Sequence, residues 1–169
     1  MPSEKIIEGL RIAMQTELNG INFYKLAAEK TEDKKARQVF SMLANDETLH
    51  FVELKKNYDS FIKTGTWSNE ISLQNPPAFK DKNPIFSDEL KSRIKDRHFE
   101  MSALSIGALL ESNSVDFYRK MAEETDNKNA KILFAQLVKW EENHLAAITK
   151  QLDLLKEEYW AQAQFTPLF

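Results

Sequence analysis

Two Glu-x-x-His motifs, Glu47…His50 and Glu141…His144, each follow a glutamate thirty positions upstream, Glu17 and Glu111. Residues i and i+3 share a helix face, so each motif aims a carboxylate and an imidazole the same way. Four carboxylates and two imidazoles converging inside a helical bundle would form a binuclear metal site. The residues flanking them favour that placement. Glu17 has Leu10, Met14, Ile21 and Tyr24 at helical spacing, and Glu47 has Phe40, Leu43, Phe51 and Leu54. Glu111 has Leu104, Ala108, Val115 and Tyr118, and Glu141 has Phe134, Leu137, Leu145 and Ile148. Each carboxylate therefore stands where a core residue is due. Four unpaired buried carboxylates would be prohibitively unstable, and two divalent cations would neutralise them. Oxygen and nitrogen donors without thiolate suit iron or manganese, and zinc can occupy such a set in vitro.

The elements that must carry these residues are helices. The 169-residue chain is 42% hydrophobic, with four Gly and five Pro, a balance that favours an all-α fold in one domain over 1–169. Residues 17–56 overlay 111–150 at a shift of 94 without a gap, and 14 of the 40 pairs are identical. The chain is thus a duplicated helical hairpin. Hairpin 1 is expected over about 3–64, from an N-cap at Ser3, with its turn at Thr31-Glu32-Asp33. Hairpin 2 is expected over about 88–158, with Asp88 and Glu89 in its first turn, where the helix dipole favours acids, and its own turn at Asp126-Asn127. The midpoints of the two Glu–Glu spacings, residues 32 and 126, fall in those turns, so all four glutamates meet in one layer about 22 Å away. Residues 65–87, with Gly65, Asn75-Pro76-Pro77 and Asn83-Pro84, read as a crossover long enough to run the length of the bundle. Two antiparallel hairpins joined by one long crossover are the ferritin-like four-helix arrangement.

Composition excludes several classes of function. No cysteine is present, which removes disulfides, thiolate zinc sites and iron–sulfur clusters. A net charge of −3 gives no general attraction to nucleic acid or anionic membrane. The start, Met1-Pro2-Ser3-Glu4-Lys5, has no apolar signal segment, and no run approaches spanning length, so a cytoplasmic protein without membrane contact is expected.

Other residues carry a functional and a structural reading. Tyr24 and Tyr118 lie two turns from Glu17 and Glu111 on the same face. They read as phenols that bond a ligand carboxylate or pass an electron, or else as core aromatics. His98 lies outside both motifs and reads as a surface or packing histidine. Trp140 points about 100° away from Glu141 and reads as helix packing. The aromatic tail, 159–169, and the exposed helix faces favour a homodimer.

Glu17…Glu47-Thr48-Leu49-His50 and Glu111…Glu141-Glu142-Asn143-His144 resemble the motifs of the ferritin-like di-iron carboxylate superfamily, specifically its rubrerythrin-like branch. The resemblance covers both hairpins. It implies two iron ions bridged by Glu47 and Glu141, with Glu17 and Glu111 as terminal carboxylates and His50 and His144 capping one metal each. It also implies reduction of peroxide or dioxygen. Two departures qualify it. A rubredoxin domain needs cysteines, so electrons would come from an external donor, rubredoxin-like or another reductase. Rubrerythrins also carry an extra glutamate one turn from the third-helix ligand, whereas this chain has Gly107 and Ala108 on one side and Ser114 and Val115 on the other. The six-residue set is symmetric, as in bacterioferritin-type centres, and the alternative function is ferroxidase or iron handling without peroxidase turnover. A third reading is a bundle that the metal only staples.

Overall fold

The computed structural model describes residues 3–68, 72–74, 76 and 98–163. Its elements are α1 (Ser3–Lys30), α2 (Lys34–Thr64), α3 (His98–Glu124) and α4 (Lys128–Ala163), and no strand occurs among the described residues. The expected third-helix start at Asp88-Glu89 lies outside them. So does the tail beyond Ala163, while Tyr159 and Trp160 fall inside α4 and extend it past the expected end near Glu158. No helix breaker stands there, and Leu152 and Leu155 continue a buried stripe onto which Tyr159 packs.

Both hairpin turns use the same local chemistry. Asp33 sits in extended conformation and its carboxylate accepts from Ala36 N–H at 2.8 Å. Asn127 does the same for Ala130 N–H at 3.1 Å. Thr31 and Thr125 each accept from the N–H two residues on. These side chains satisfy donors that the first helical turn leaves open. At the far end of α2, Gly65 adopts φ 70° and returns its N–H to Phe61 O, a left-handed cap that glycine enters without a Cβ penalty.

Helix α1 packs on α2, α3 on α4, and α1 on α3. Thr31 bonds Glu100, Tyr24 bonds Glu111, and Gly9 faces Met121, so α1 and α3 run antiparallel. The end of α2 and the start of α3 therefore lie at opposite ends of the bundle. The described part of the connection climbs the groove between α2 and α4. Trp67 meets Phe61 and Phe134 edge-on at 6.0 and 5.9 Å. Ser68 O accepts from Asn129, Ser72 N–H donates to Glu53, and Gln74 O accepts from Trp140 Nε1 at 2.8 Å. This is the four-helix bundle with one long crossover.

Two hydrophobic clusters fill the interior, related by the repeat. Tyr24, Phe40, Leu43, Leu104 and Ile148 form the heart of one, and Tyr118, Phe134, Leu137, Leu10 and Leu54 that of the other. The four glutamates lie in the layer between them. No helix among the described residues is long and apolar enough to cross a membrane.

Candidate metal centre

Each helix brings one carboxylate to this layer, Glu17 from α1, Glu47 from α2, Glu111 from α3 and Glu141 from α4, and α2 and α4 add His50 and His144. All six are buried. They form two groups that could hold an ion: Glu17, Glu47, His50 and Glu141, and Glu47, Glu111, Glu141 and His144. Glu47 and Glu141 belong to both. Within each group the donor atoms lie within 4.8 Å of one another.

The spacing suits metal ligation. His50 Nδ1 lies 3.4 Å from Glu17, 3.3 Å from Glu47 and 3.1 Å from Glu141. His144 Nδ1 lies 3.5 Å from Glu47, 3.7 Å from Glu111 and 3.6 Å from Glu141. Donors bound at about 2.0–2.2 Å around one ion stand about 3–3.6 Å apart. Hydrogen bonding leaves several of these atoms over: Glu17 Oε2, both oxygens of Glu141 and His144 Nδ1 have no partner although buried. Buried polar atoms are normally satisfied. Orphaned oxygens and a nitrogen aimed into a shared centre fit a pair of hard to borderline divalent cations.

The tyrosines close the layer from above and below. Tyr24 donates to Glu111 and Tyr118 donates to Glu17, both through short bonds. Each phenol thus bonds the glutamate of the other hairpin. Burial, with Glu111 adjacent, pushes the Tyr24 hydroxyl well above its ordinary value, and burial with Glu17 does the same to Tyr118. Both stay protonated donors.

Electrostatics arrange protons where cations would sit. Burial raises Glu17 well above the carboxylate range, with Glu47 adding to it, and burial with Glu141 raises Glu111 likewise. Glu47 moves down despite burial, because the adjacent Glu17, His144 and His50 favour its charged form. Glu141 moves down as well: burial and Glu47 oppose it, and the adjacent Glu111 and the charge of His50 prevail. Burial works against charge on both imidazoles, yet Glu141 and Glu17 raise His50, and Asp46 with Glu111 raises His144.

Sequence reasoning missed Asp46 and underread Trp140. Asp46 Oδ2 lies 3.3 Å from His144 Nε2. The Trp140 ring packs edge-on against His50 at 5.2 Å and His144 at 6.0 Å, besides packing between helices. One signal was present: 46 and 140 are equivalent positions in the repeat, each beside a shared glutamate. Gly20 also borders the centre, since a Cβ there would lie 3.2 Å from Glu47 Cγ. His98 is exposed and meets Tyr159 edge-on at 6.3 Å, away from the centre.

A four-helix bundle with carboxylates and histidines in two groups sharing two glutamates defines a di-metal carboxylate protein of ferritin-like architecture. The family model described as Rubrerythrin matches residues 8–152, and the chain belongs to the rubrerythrin family, which typically holds a di-iron centre. It is similar to the uncharacterized protein MJ0754 of Methanocaldococcus jannaschii, 25% identical over 126 residues, which are 74% of this chain and 65% of that one. It is also similar to the uncharacterized protein YhjR of Bacillus subtilis, 28% identical over 139 residues, 82% of this chain and 81% of that one. The chain thus spans just under two thirds of the first relative. No solved structure matches it significantly.

Proposed function

We propose that this protein is a non-haem di-iron oxidoreductase that reduces peroxide or dioxygen and is re-reduced by an external electron donor. The observation that supports this most directly is the pair of buried four-residue groups sharing Glu47 and Glu141. Glu17 and His50 would complete one position, and Glu111 and His144 the other. Two ferrous ions held there supply two electrons and Lewis acidity, which with two protons suffice to reduce one hydrogen peroxide to two waters.

The chain supplies the rest. Tyr24 and Tyr118 fix the terminal carboxylates by donating to them. The clusters above and below exclude bulk water, which strengthens every electrostatic interaction inside. His50 and His144, on facing helices with ring centroids 5.9 Å apart, line the side of the layer next to Trp140.

The test is stopped-flow oxidation of the ferrous protein. Peroxide is expected to oxidise it faster than dioxygen does, and a rubredoxin-like donor or reductase to sustain turnover. Equal rates without donor-supported turnover would sink the peroxidase reading.

One observation favours a second reading, ferroxidase or iron handling. The position facing the centre one turn before Glu111 is glycine, and a Cβ on Gly107 would already lie 3.3 Å from Tyr24 Oη. The donor set therefore stays symmetric. Aerobic loading to well beyond two irons per chain would support this reading over the first.

A further inference from the structure

The repeat makes the two halves of the centre alike at Glu17/Glu111, Glu47/Glu141, His50/His144 and Tyr24/Tyr118. It breaks at one pair that touches the imidazoles. Position 46 is aspartate, and its equivalent, 140, is tryptophan. Asp46 lies on the outer nitrogen of His144 at 3.3 Å, with 17% of its side chain exposed. His50 has no such support: its Nε2 is buried without a partner, and the ring beside it is Trp140. An indole N–H cannot accept a hydrogen bond, and this one is committed to Gln74 O of the crossover. Residues 72–74 of the crossover run beside this tryptophan, so the residue that anchors them stands where the repeat would place the carboxylate.

The chemical consequence is unequal ligand preparation. A carboxylate on Nε2 holds the proton there, fixes the ring and leaves Nδ1 free to donate its lone pair. His50 has no acceptor on Nε2, so only the candidate ligands at its Nδ1, Glu17, Glu47 and Glu141, orient its ring. We propose that the two metal positions are unequal, with Asp46 as a positioning residue that makes the Glu111–His144 position the tighter of the two.

The proposal rests on the six residues being metal ligands, and its test separates the two ideas. Anaerobic cobalt(II) titration of the full chain, followed by visible absorbance and calorimetry, is expected to show two resolved steps. Asp46→Ala should weaken the tighter step by about ten- to a hundredfold and leave the other unchanged. Asp46→Asn, which keeps an acceptor, should recover part of that loss. Glu111→Ala should remove the step that Asp46→Ala weakens, and Glu17→Ala the other. Asp46→Ala moving both steps equally, or neither, would overturn the inequality while the metal centre stood. A wild-type chain that takes up no cobalt would overturn the centre itself. Far-UV circular dichroism of each variant shows that the helices are retained.

Discussion

Glu47 and Glu141 differ from the other four candidate ligands because each belongs to both groups. Removing one of them should therefore empty the centre, whereas removing a terminal carboxylate should not. Glu47→Ala is expected to take the metal count from two per chain to none, and Glu17→Ala to leave one, as read by elemental analysis after dialysis. Tyr24 serves a different purpose. Without metal, Tyr24→Phe leaves Glu111 Oε1 buried without its donor, at a cost of about 1–3 kcal/mol. Urea unfolding in the presence of a chelator measures it, and an unchanged midpoint would show that the bond contributes nothing. The candidate ligands were legible at this scale because helical period puts a glutamate where a leucine is due. The tyrosines' partners were not: each phenol crosses to the opposite hairpin, and the spacing within a hairpin does not say which helix of the other one lies alongside. Asp46 escaped for the same reason, since its histidine stands 98 residues away.

Among the elements, the turns were legible from Thr31-Glu32-Asp33 and Asp126-Asn127, whose short polar side chains compete for backbone donors. Thr125, the equivalent of Thr31, does the same work unremarked. Asp33→Ala is expected to cost about 0.5–2 kcal/mol, since it leaves the Ala36 N–H without its acceptor. Asn127→Ala should cost a similar amount at the other turn. Gly65→Ala should lose about 1–2 kcal/mol through backbone strain alone, because nothing lies within 4 Å of an added Cβ. Chemical denaturation of the three variants checks all of this, and a stabilised Gly65→Ala would refute the strain argument. Helix α4 runs past the expected end near Glu158 because Leu152, Leu155 and Tyr159 keep helical period into the aromatic run.

For the whole molecule, the centre links pH, metal and stability. Without cations, the raised values of Glu17, Glu111, His50 and His144 favour their protonated forms and the lowered values of Glu47 and Glu141 favour their ionised forms, an arrangement in which the six side chains balance. Two divalent cations with four ionised carboxylates and two neutral imidazoles are neutral as well. Loading should thus release about four protons per chain, measurable by pH-stat, and acid should drive the metals off. The sign for the metal-free fold follows from the same groups. The folded values of Glu17, Glu111, His50 and His144 are raised, so the native state binds more protons than the unfolded chain. That stability is present below the unfolded values and is lost as pH rises through the raised ones. Lowered Glu47 and Glu141 oppose this only toward the acid side, where the unfolded chain protonates first. The chelated protein should therefore unfold at lower temperature at about pH 8 than at about pH 6, and metal should reverse the order. Identical melting at both values would refute the proton assignment.

The crossed tyrosines have a mechanical consequence. Tyr24 reaches from the first hairpin to Glu111 of the second, and Tyr118 returns to Glu17 of the first. Each four-residue group likewise borrows one carboxylate from across the divide. The centre is thus a rivet through the seam between two half-proteins, and the hairpins cannot part without tearing it open. Metal content then becomes a gauge of whether the two halves are clasped.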